Sequence, residues 1–265
     1  MKTMTKKGKL LIVGIGPGDP RHMTTAAREA ITGCDYVVGY KTYIKLIEPL
    51  VGSIPVKGFG MTKEVDRAQA ALDLARAGFT VALVSSGDAG MYGMAGLCFE
   101  LLRHEKATRE TMPHVTVIPG VTSANSSASL VGAPLMHDCA SISLSDLLTP
   151  LAQILRRIEA AASADFVITL YNPASKKRRE PLEESVKILK KHRAATTPVA
   201  LVEAAYRSEQ NVIITDLAHL MEHPIGMTTT IIIGNSQSYV YEGFMLTPRG
   251  YTSKYLQEEA APERP

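Results

Sequence analysis

Tryptophan is absent from the chain, and aromatic residues of all kinds make up 6% of it. A platform on which single-stranded bases stack needs several rings, so that class of nucleic-acid binder is disfavoured. Cysteine is nearly as scarce. Cys34, Cys98 and Cys139 stand far apart, with no CxxC pair. A zinc knuckle or a dithiol redox centre therefore lacks its ligands. A sparse, odd number of thiols fits a reducing compartment, and a cytoplasmic location is expected. No apolar run approaches the roughly 18 residues of a membrane-spanning helix. The apolar run at residues 10–15 is too short and glycine-broken for a signal peptide. There is no G-x-S-x-G, no H-E-x-x-H and no plausible triad, which favours group transfer over hydrolysis. An excess of one charge is also missing. With 29 Lys and Arg against 26 Asp and Glu, the net charge of +3 does not argue for nucleic acid. A local basic patch can still hold an acidic ligand.

What is present is a chain of 265 residues, 45% apolar and 21% charged. These are ordinary globular proportions, with enough chain for sizeable cores in one large or two small domains. Short β-rich runs alternate with helical patterns. Residues 10–15, 36–38, 80–84 and 115–118 read as buried strands. Residues 24–32, 62–77 and 92–104 read as helices, the first capped by Thr24 or Thr25 and the second ended by Gly78. Continuous apolar strands between helices predict a parallel sheet covered on both faces. The second half follows the same style without repeating the sequence. Its strands fall at 140–142, 166–170, 199–202, 212–214 and 228–233, and its helices at 151–162 and 180–192. The expected architecture is α/β in two domains, residues 1–120 and 121–245, with a tail over 246–265 whose end from Gln257 is expected to fray.

Three predicted strands end in turns of small residues. Gly14-Ile15-Gly16-Pro17-Gly18-Asp19-Pro20 follows the first. It departs from the dinucleotide fingerprint G-x-G-x-x-G, because Asp19 stands where the third glycine belongs and Pro17 removes an N–H from the cradle. Asp35 precedes the second strand instead of ending it, so the ribose-binding acid is misplaced too. A P-loop read from Gly33 through Gly39 to Lys41 and Thr42 fails on spacing. The second turn is Ser85-Ser86-Gly87-Asp88-Ala89-Gly90-Met91-Tyr92-Gly93. Asp88 serves there either a ligand amine or hydroxyl, or the cap of the following helix. The third, Pro119-Gly120-Val121-Thr122-Ser123, offers hydroxyls at a helix start to a carboxylate or a ribose. Together the turns describe a crevice that takes a ligand against bare backbone.

In that order and spacing the turns resemble those of the tetrapyrrole methylases, the class III S-adenosylmethionine-dependent methyltransferases of the cobalamin and sirohaem pathways. The likeness runs over residues 9–236. Val38-Gly39-Tyr40-Lys41-Thr42-Tyr43, Gly87-Asp88-Ala89-Gly90-Met91-Tyr92-Gly93-Met94-Ala95 and Tyr171-Asn172-Pro173-Ala174-Ser175 with Arg178-Arg179 resemble one branch in particular. That branch methylates C-17 of precorrin-3B or cobalt-factor III and contracts the ring. The resemblance implies a homodimer of two-domain α/β protomers, with S-adenosylmethionine in the cleft between the domains. It implies a tetrapyrrole substrate, and any cobalt arrives inside that substrate, so no protein-bound metal is required. Carried over residue by residue, cofactor contacts fall on Pro17, on Ser86, Gly87, Asp88 and Met91, and on Thr122 and Ser123. Others fall on Asn172, on Ala205, and on Thr229 within Thr228-Thr229-Thr230. Sister enzymes acting on uroporphyrinogen carry an acidic residue after the second strand, where this chain has Tyr40-Lys41. Their acid/base assignment therefore does not transfer. Tyr40 is expected to act as a hydroxyl donor and Lys41 to pair with a substrate carboxylate, against the plainer reading of a packed tyrosine and a solvated lysine. Two alternatives remain, a methylase acting at another ring carbon and a catalytically silent tetrapyrrole-binding protein. A nicotinamide oxidoreductase is disfavoured by Asp19.

Lys176-Lys177-Arg178-Arg179 places four cations before a predicted helix, against its dipole. Arginine forks match carboxylates, so Arg178 and Arg179 are expected to contact the acidic side chains of the macrocycle, against the plainer reading of a solvated run. His219 and His223 stand four apart on a predicted helix without a third ligand, and no metal is expected there. Ser145-Asp146 is expected to cap the helix at 151–162.

Overall fold

A computed structural model describes residues 7–256, and these divide into two units. The first runs to Ser126 and takes in Ala204–Glu209. The second holds Ser127–Glu203 and continues from Gln210. The division falls six residues beyond the expected boundary at 120/121. The expected fraying from Gln257 lies outside the described residues.

The first unit is built on five strands and their connecting helices. In chain order these are β1 (Lys9–Gly14), α1 (Thr25–Thr32), β2 (Tyr36–Tyr40), α2 (Lys41–Leu46), α3 (Glu48–Val51), β3 (Val56–Phe59), α4 (Glu64–Arg76), β4 (Thr80–Ser85), α5 (Met94–His104) and β5 (His114–Ile118). The sheet order is β3-β2-β4-β1-β5, and every neighbouring pair is parallel. Side chains alternate across a strand, so each strand feeds two cores. Leu10, Ile12, Val38, Val81 and Leu83 face Leu72 of α4 and Cys98 and Leu102 of α5. Val13, Val37, Ala82 and Val84 pack instead with Ala27 and Ile31 of α1 and Val51 of α3. Burial on both faces explains why the strands read as unbroken apolar runs. Burying one such leucine or isoleucine contributes about 2 kcal/mol. Thr24 caps α1, its hydroxyl accepting from Ala27 N at 3.1 Å. Asp35 is not a ligand-binding acid but a structural one, accepting from Thr80 N at 2.7 Å. Burial pushes the thiol of Cys98 up to about 12, which removes it as a nucleophile.

Two predicted helix starts are corrected by backbone geometry. Thr62 and Tyr92 both have positive φ, 61° and 53°. A right-handed helix admits neither, so α4 begins at Glu64 and α5 at Met94.

The boundary between the units falls inside α6 (Ser123–Val131). The second unit continues with β6 (Gly132–Ala133), β7 (Cys139–Ser143), α7 (Leu151–Ser163), β8 (Val167–Tyr171), α8 (Glu180–His192), β9 (Pro198–Glu203), β10 (Asn211–Asp216), β11 (Thr229–Ile233), β12 (Tyr239–Tyr241), β13 (Phe244–Leu246) and α9 (Tyr251–Tyr255). Its main sheet has the order β10-β9-β11-β8-β7. Only the β7–β8 pair is parallel; β8–β11, β11–β9 and β9–β10 are antiparallel. The parallel arrangement of the first half therefore does not carry over to this one. The link from β9 to β10 is too short for a crossover helix and leaves an antiparallel return as the available pairing. Ile154 and Ile158 of α7 and Leu182, Val186 and Leu189 of α8 cover Ile168, Leu170, Leu201 and Ile231. A smaller sheet joins β12, β13 and β6.

Other expectations change here too. Pro150 occupies the N-cap of α7 without a side-chain bond, and Asp146 pairs with Arg178 instead of capping. His219 precedes a short 3-10 turn, Leu220–Glu222, not an α-helix, and its Nδ1 lies 2.7 Å from Asp216. Among the described residues, no cluster of three His, Cys, Asp or Glu is placed to hold a metal ion, and no helix is long and apolar enough to cross a membrane.

Candidate functional site

The carboxyl ends of β1, β4 and β5 lie side by side in the first sheet, and the three small-residue turns meet there. Gly16 N donates to Gly87 O at 3.0 Å, and Gly87 N returns a bond to Gly16 O at 2.8 Å. Asp88 ties the second turn to the third. Its Oδ2 accepts from Gly120 N at 2.9 Å, while its Oδ1 accepts from Gly90 N and Met91 N at 2.7 and 3.2 Å. Both carboxylate oxygens are thus engaged by backbone, and Asp88 does not cap α5.

The glycines divide by what their missing side chains allow. A Cβ on Gly120 would lie 2.2 Å from Gly87 O, and one on Gly14 would lie 2.7 Å from Gly120 N. These two let three backbones touch one another. Gly87 differs. Its φ is +66°, and a Cβ there would have its nearest neighbour, Ser123 N, at 3.7 Å. Of the three, Gly87 alone has room beside its bare Cα, facing Ser123 and Val121. That is a cradle a side chain would fill, and it suits a ligand laid against backbone. Thr122 Oγ1 caps the helix beyond, accepting from Asn125 N at 3.2 Å. Met91 is exposed on the outer part of the second turn.

The segment Ala204–Glu209 supplies a residue that the sequence reading missed. Arg207 donates from Nε to Pro17 O at 2.7 Å and from Nη2 to Ser86 Oγ at 2.9 Å. Its side chain also covers Gly18, whose Cβ would meet Arg207 Cγ at 2.8 Å. Arg207 therefore clamps the first turn to the second, and Ala205 stands two residues earlier on the same segment. Ala204 and Tyr206 both have positive φ, so this is a tight, strained turn. The Tyr206 ring lies 3.8 Å from that of His22, just past the first turn.

Asp19 and Arg21 shape the outer lip of the first turn. Arg21 donates two guanidinium bonds to Oδ2 and its backbone N bonds Oδ1. The guanidinium, followed by the backbone bond, holds the Asp19 carboxyl at about 2, below its ordinary 3.8. A lowered folded-state value means that its contribution is complete above 3.8 and is lost as pH falls through about 2. Carboxyl-carbon NMR should show Asp19 titrating near 2. In Arg21→Gln the midpoint should move back toward 3.8 without reaching it, since the backbone bond persists. A midpoint unchanged by the substitution would remove the guanidinium as cause.

Tyr40 ends β2 and stands at the N-cap position of α2, with its ring edge-on to Tyr43 at 5.1 Å. Lys41 is exposed, and its stem lies over Gly58. Both stand at the same carboxyl edge of the sheet as the turns. Arg67, on α4, is a second residue the sequence reading missed; it is buried.

Asn172, Arg178, Arg179 and Thr229 belong to the second unit. Asn172 follows β8 with a φ of +51°, and its amide donates to Ser143 Oγ at 3.1 Å. Arg178 donates to Asn172 O at 2.7 Å and to Leu144 O at 2.5 Å. Its Nε lies 3.6 Å from Asp146. The fork expected to grip substrate is therefore occupied in holding the turn after β8, and we assign it a positioning role. Arg179 is exposed beside Glu183 at 3.9 Å. Thr229 is buried at the start of β11, its hydroxyl accepting from Gly226 N.

Comparison with known proteins places the chain in a family. A family model described as Tetrapyrrole (Corrin/Porphyrin) Methylases matches residues 9–221. The cobalt-factor III methyltransferase of Priestia megaterium is 51% identical over 260 residues, 98% of this chain and 48% of that protein, so the chain spans about half of it. The probable cobalt-factor III C(17)-methyltransferase of Salmonella typhimurium is 48% identical over 92% of this chain and 99% of that protein. The crystal structure of the methyltransferase CobJ matches with a TM-score of 0.84 at 30% identity, covering 91% of this chain and 100% of that one. The chain belongs to the tetrapyrrole (corrin/porphyrin) methylase family.

Proposed function

We propose that this chain methylates C-17 of a cobalt-factor III type macrocycle, using S-adenosylmethionine, with contraction of the ring. The observation that carries the reading is the meeting of three bare turns around Gly87 at the carboxyl edge of a parallel sheet. Parallel α/β sheets place their ligands at that edge. Relatives at 51% and 48% identity, both named for cobalt-factor III, favour the cobalt-containing acceptor.

When bound, S-adenosylmethionine supplies a methyl group already activated on a sulfonium. What remains for the protein is to hold donor and acceptor in line. The space lies beside Gly87, with Ser123 and Val121 as its neighbours, and Met91, Thr122 and Ala205 are assigned to the same ligand. Arg207 fixes Pro17 and Ser86 relative to one another, and Asp88 holds the second turn against the third. A ligand thereby meets a preformed backbone surface and does not have to order it. Tyr40 and Lys41, on the same edge, are assigned to the acceptor. The lysine ammonium pairs with an acidic side chain, and the tyrosine hydroxyl donates a hydrogen bond to the macrocycle.

Incubation with cobalt-factor III and methyl-labelled S-adenosylmethionine should give a macrocycle heavier by one labelled methyl, with a changed visible spectrum. Precorrin-3B in parallel tests the metal-free acceptor. Calorimetry with S-adenosylhomocysteine should show micromolar or tighter binding. Absence of that binding would reject the donor assignment. Binding without any methylated product would leave a silent tetrapyrrole-binding protein.

A further inference from the structure

Arg67 carries a charge into the interior of the first unit. It lies on the apolar stripe of α4 with Ala68, Ala71, Leu72 and Ala75, and 5% of its surface is exposed. Its Nε and Nη1 atoms are shut off from solvent and have no hydrogen-bond partner. Nη2 reaches the Met94 thioether at 3.3 Å and the Glu64 carboxylate at 3.7 Å. Sulfur is a weak acceptor, and Glu64 is half exposed, so neither offsets a desolvated guanidinium. An arginine serving only the packing of α4 would be a costly choice, since methionine or leucine fills such a position without a charge.

Its location points to a ligand. Arg67 sits near the start of α4, at the carboxyl edge of the parallel sheet. Met94 opens α5 immediately after the second small-residue turn. Burial pushes the phenol of Tyr43, one turn beyond Tyr40, up from its ordinary value, and the positive charges of Arg207 and Arg67 pull against it. Two guanidiniums therefore act on one phenol at the edge where the turns meet.

We propose that Arg67 receives a carboxylate of a bound ligand, which displaces the Met94 thioether from Nη2 and satisfies the orphaned donors. This rests on the methyltransferase reading, in which two ligands bring carboxylates: the acidic side chains of the macrocycle and the amino-acid end of the donor. Exchange of a thioether for a carboxylate replaces a weak acceptor by a charge-assisted one. Met94 is unbranched and adapts readily, which suits it to be the group that moves.

The test compares wild type with Arg67→Met and Arg67→Lys in the full chain. Uroporphyrin III serves as a polycarboxylate macrocycle probe, followed by fluorescence, and S-adenosylhomocysteine is followed by calorimetry. The expected result is a loss of tenfold or more in Arg67→Met for one ligand, with the other unchanged. The ligand that is lost identifies the source of the carboxylate. The thermal midpoint of Arg67→Met should hold or rise, because an uncompensated charge has been removed. Arg67→Lys should keep part of the lost affinity and guards against a variant that fails to fold. Unchanged affinity for both ligands, or a lowered midpoint as the sole effect, would overturn the proposal and leave the methyltransferase reading intact. Wild-type protein that binds neither ligand would overturn both.

Discussion

Gly120→Ala is expected to lower the thermal midpoint by roughly 5–10 °C and to abolish S-adenosylhomocysteine binding. The added Cβ would lie 2.2 Å from Gly87 O and 2.7 Å from the carbonyl carbon of Gly14. Both obstacles are backbone, held by the Gly16–Gly87 bridge and by the bond from Gly120 N to Asp88. No rotamer change relieves that overlap. The third turn must move away, at a cost of about 3 kcal/mol or more. Gly87→Ala supplies the contrast. Its Cβ meets nothing closer than 3.7 Å, so the expected cost is the left-handed backbone alone, about 1–2 kcal/mol. That methyl group enters the space beside Ser123, and the affinity for S-adenosylhomocysteine should fall tenfold or more in a protein that stays folded. Gly120→Ala as stable as wild type would show that the turns do not need bare backbone to meet. Full affinity in Gly87→Ala would move the ligand elsewhere.

The distinction between those two glycines was not legible in the sequence. Glycine at residues 14, 87 and 120 announces close approach, but not of what to what. The structure shows backbone on backbone at Gly14 and Gly120 and open space at Gly87. The parallel half of the fold was legible, because strands buried on both faces read as continuous apolar runs, as Leu83 and Val84 do on opposite sides of one strand. The mixed sheet of the second unit was not. Pairing direction depends on how the chain returns after Glu203, and apolar runs such as Thr229–Ile233 carry no mark of direction. The task of Asp88 in holding the second turn against the third was not legible, since an acid beside glycines reads alike whether it meets a ligand or another loop. Arg67 left a trace that went unread: a cation four and eight residues before Ala71 and Ala75, on the buried stripe of a helix. Arg207 left less, for nothing local ties a residue after β9 to Pro17 and Ser86.

Arg193 is the corresponding keystone of the second unit, and its loss should be the most destabilising single side-chain deletion there. It follows α8 directly, with 2% of its side chain exposed. Nη1 donates to Ala162 O at 2.7 Å, near the end of α7, and Nη2 to Phe166 O at 3.0 Å, just before β8. Nε reaches Gly234 O, just after β11, at 3.4 Å. Asp165, 3.1 Å away, balances the charge and itself accepts from Ser236 N and Oγ. Burial draws the guanidinium down from its ordinary value and Asp165 pushes back, but an arginine stays charged at any pH the fold survives. Arg193→Met keeps the stem and removes every donor. Four carbonyls, that of His192 included, and one carboxylate lose a partner together, so the expected cost is about 3–5 kcal/mol. Arg193→Lys should recover part of it, because a single ammonium cannot reach three separated carbonyls. The exposed pair Lys187–Glu184 provides the control: Lys187→Ala should leave the midpoint unchanged within error. Chemical denaturation of the three variants decides the matter. If Arg193→Met were no less stable than Lys187→Ala, those acceptors would be finding water, and the turn joining α7 to β8 would owe its shape to something other than the guanidinium.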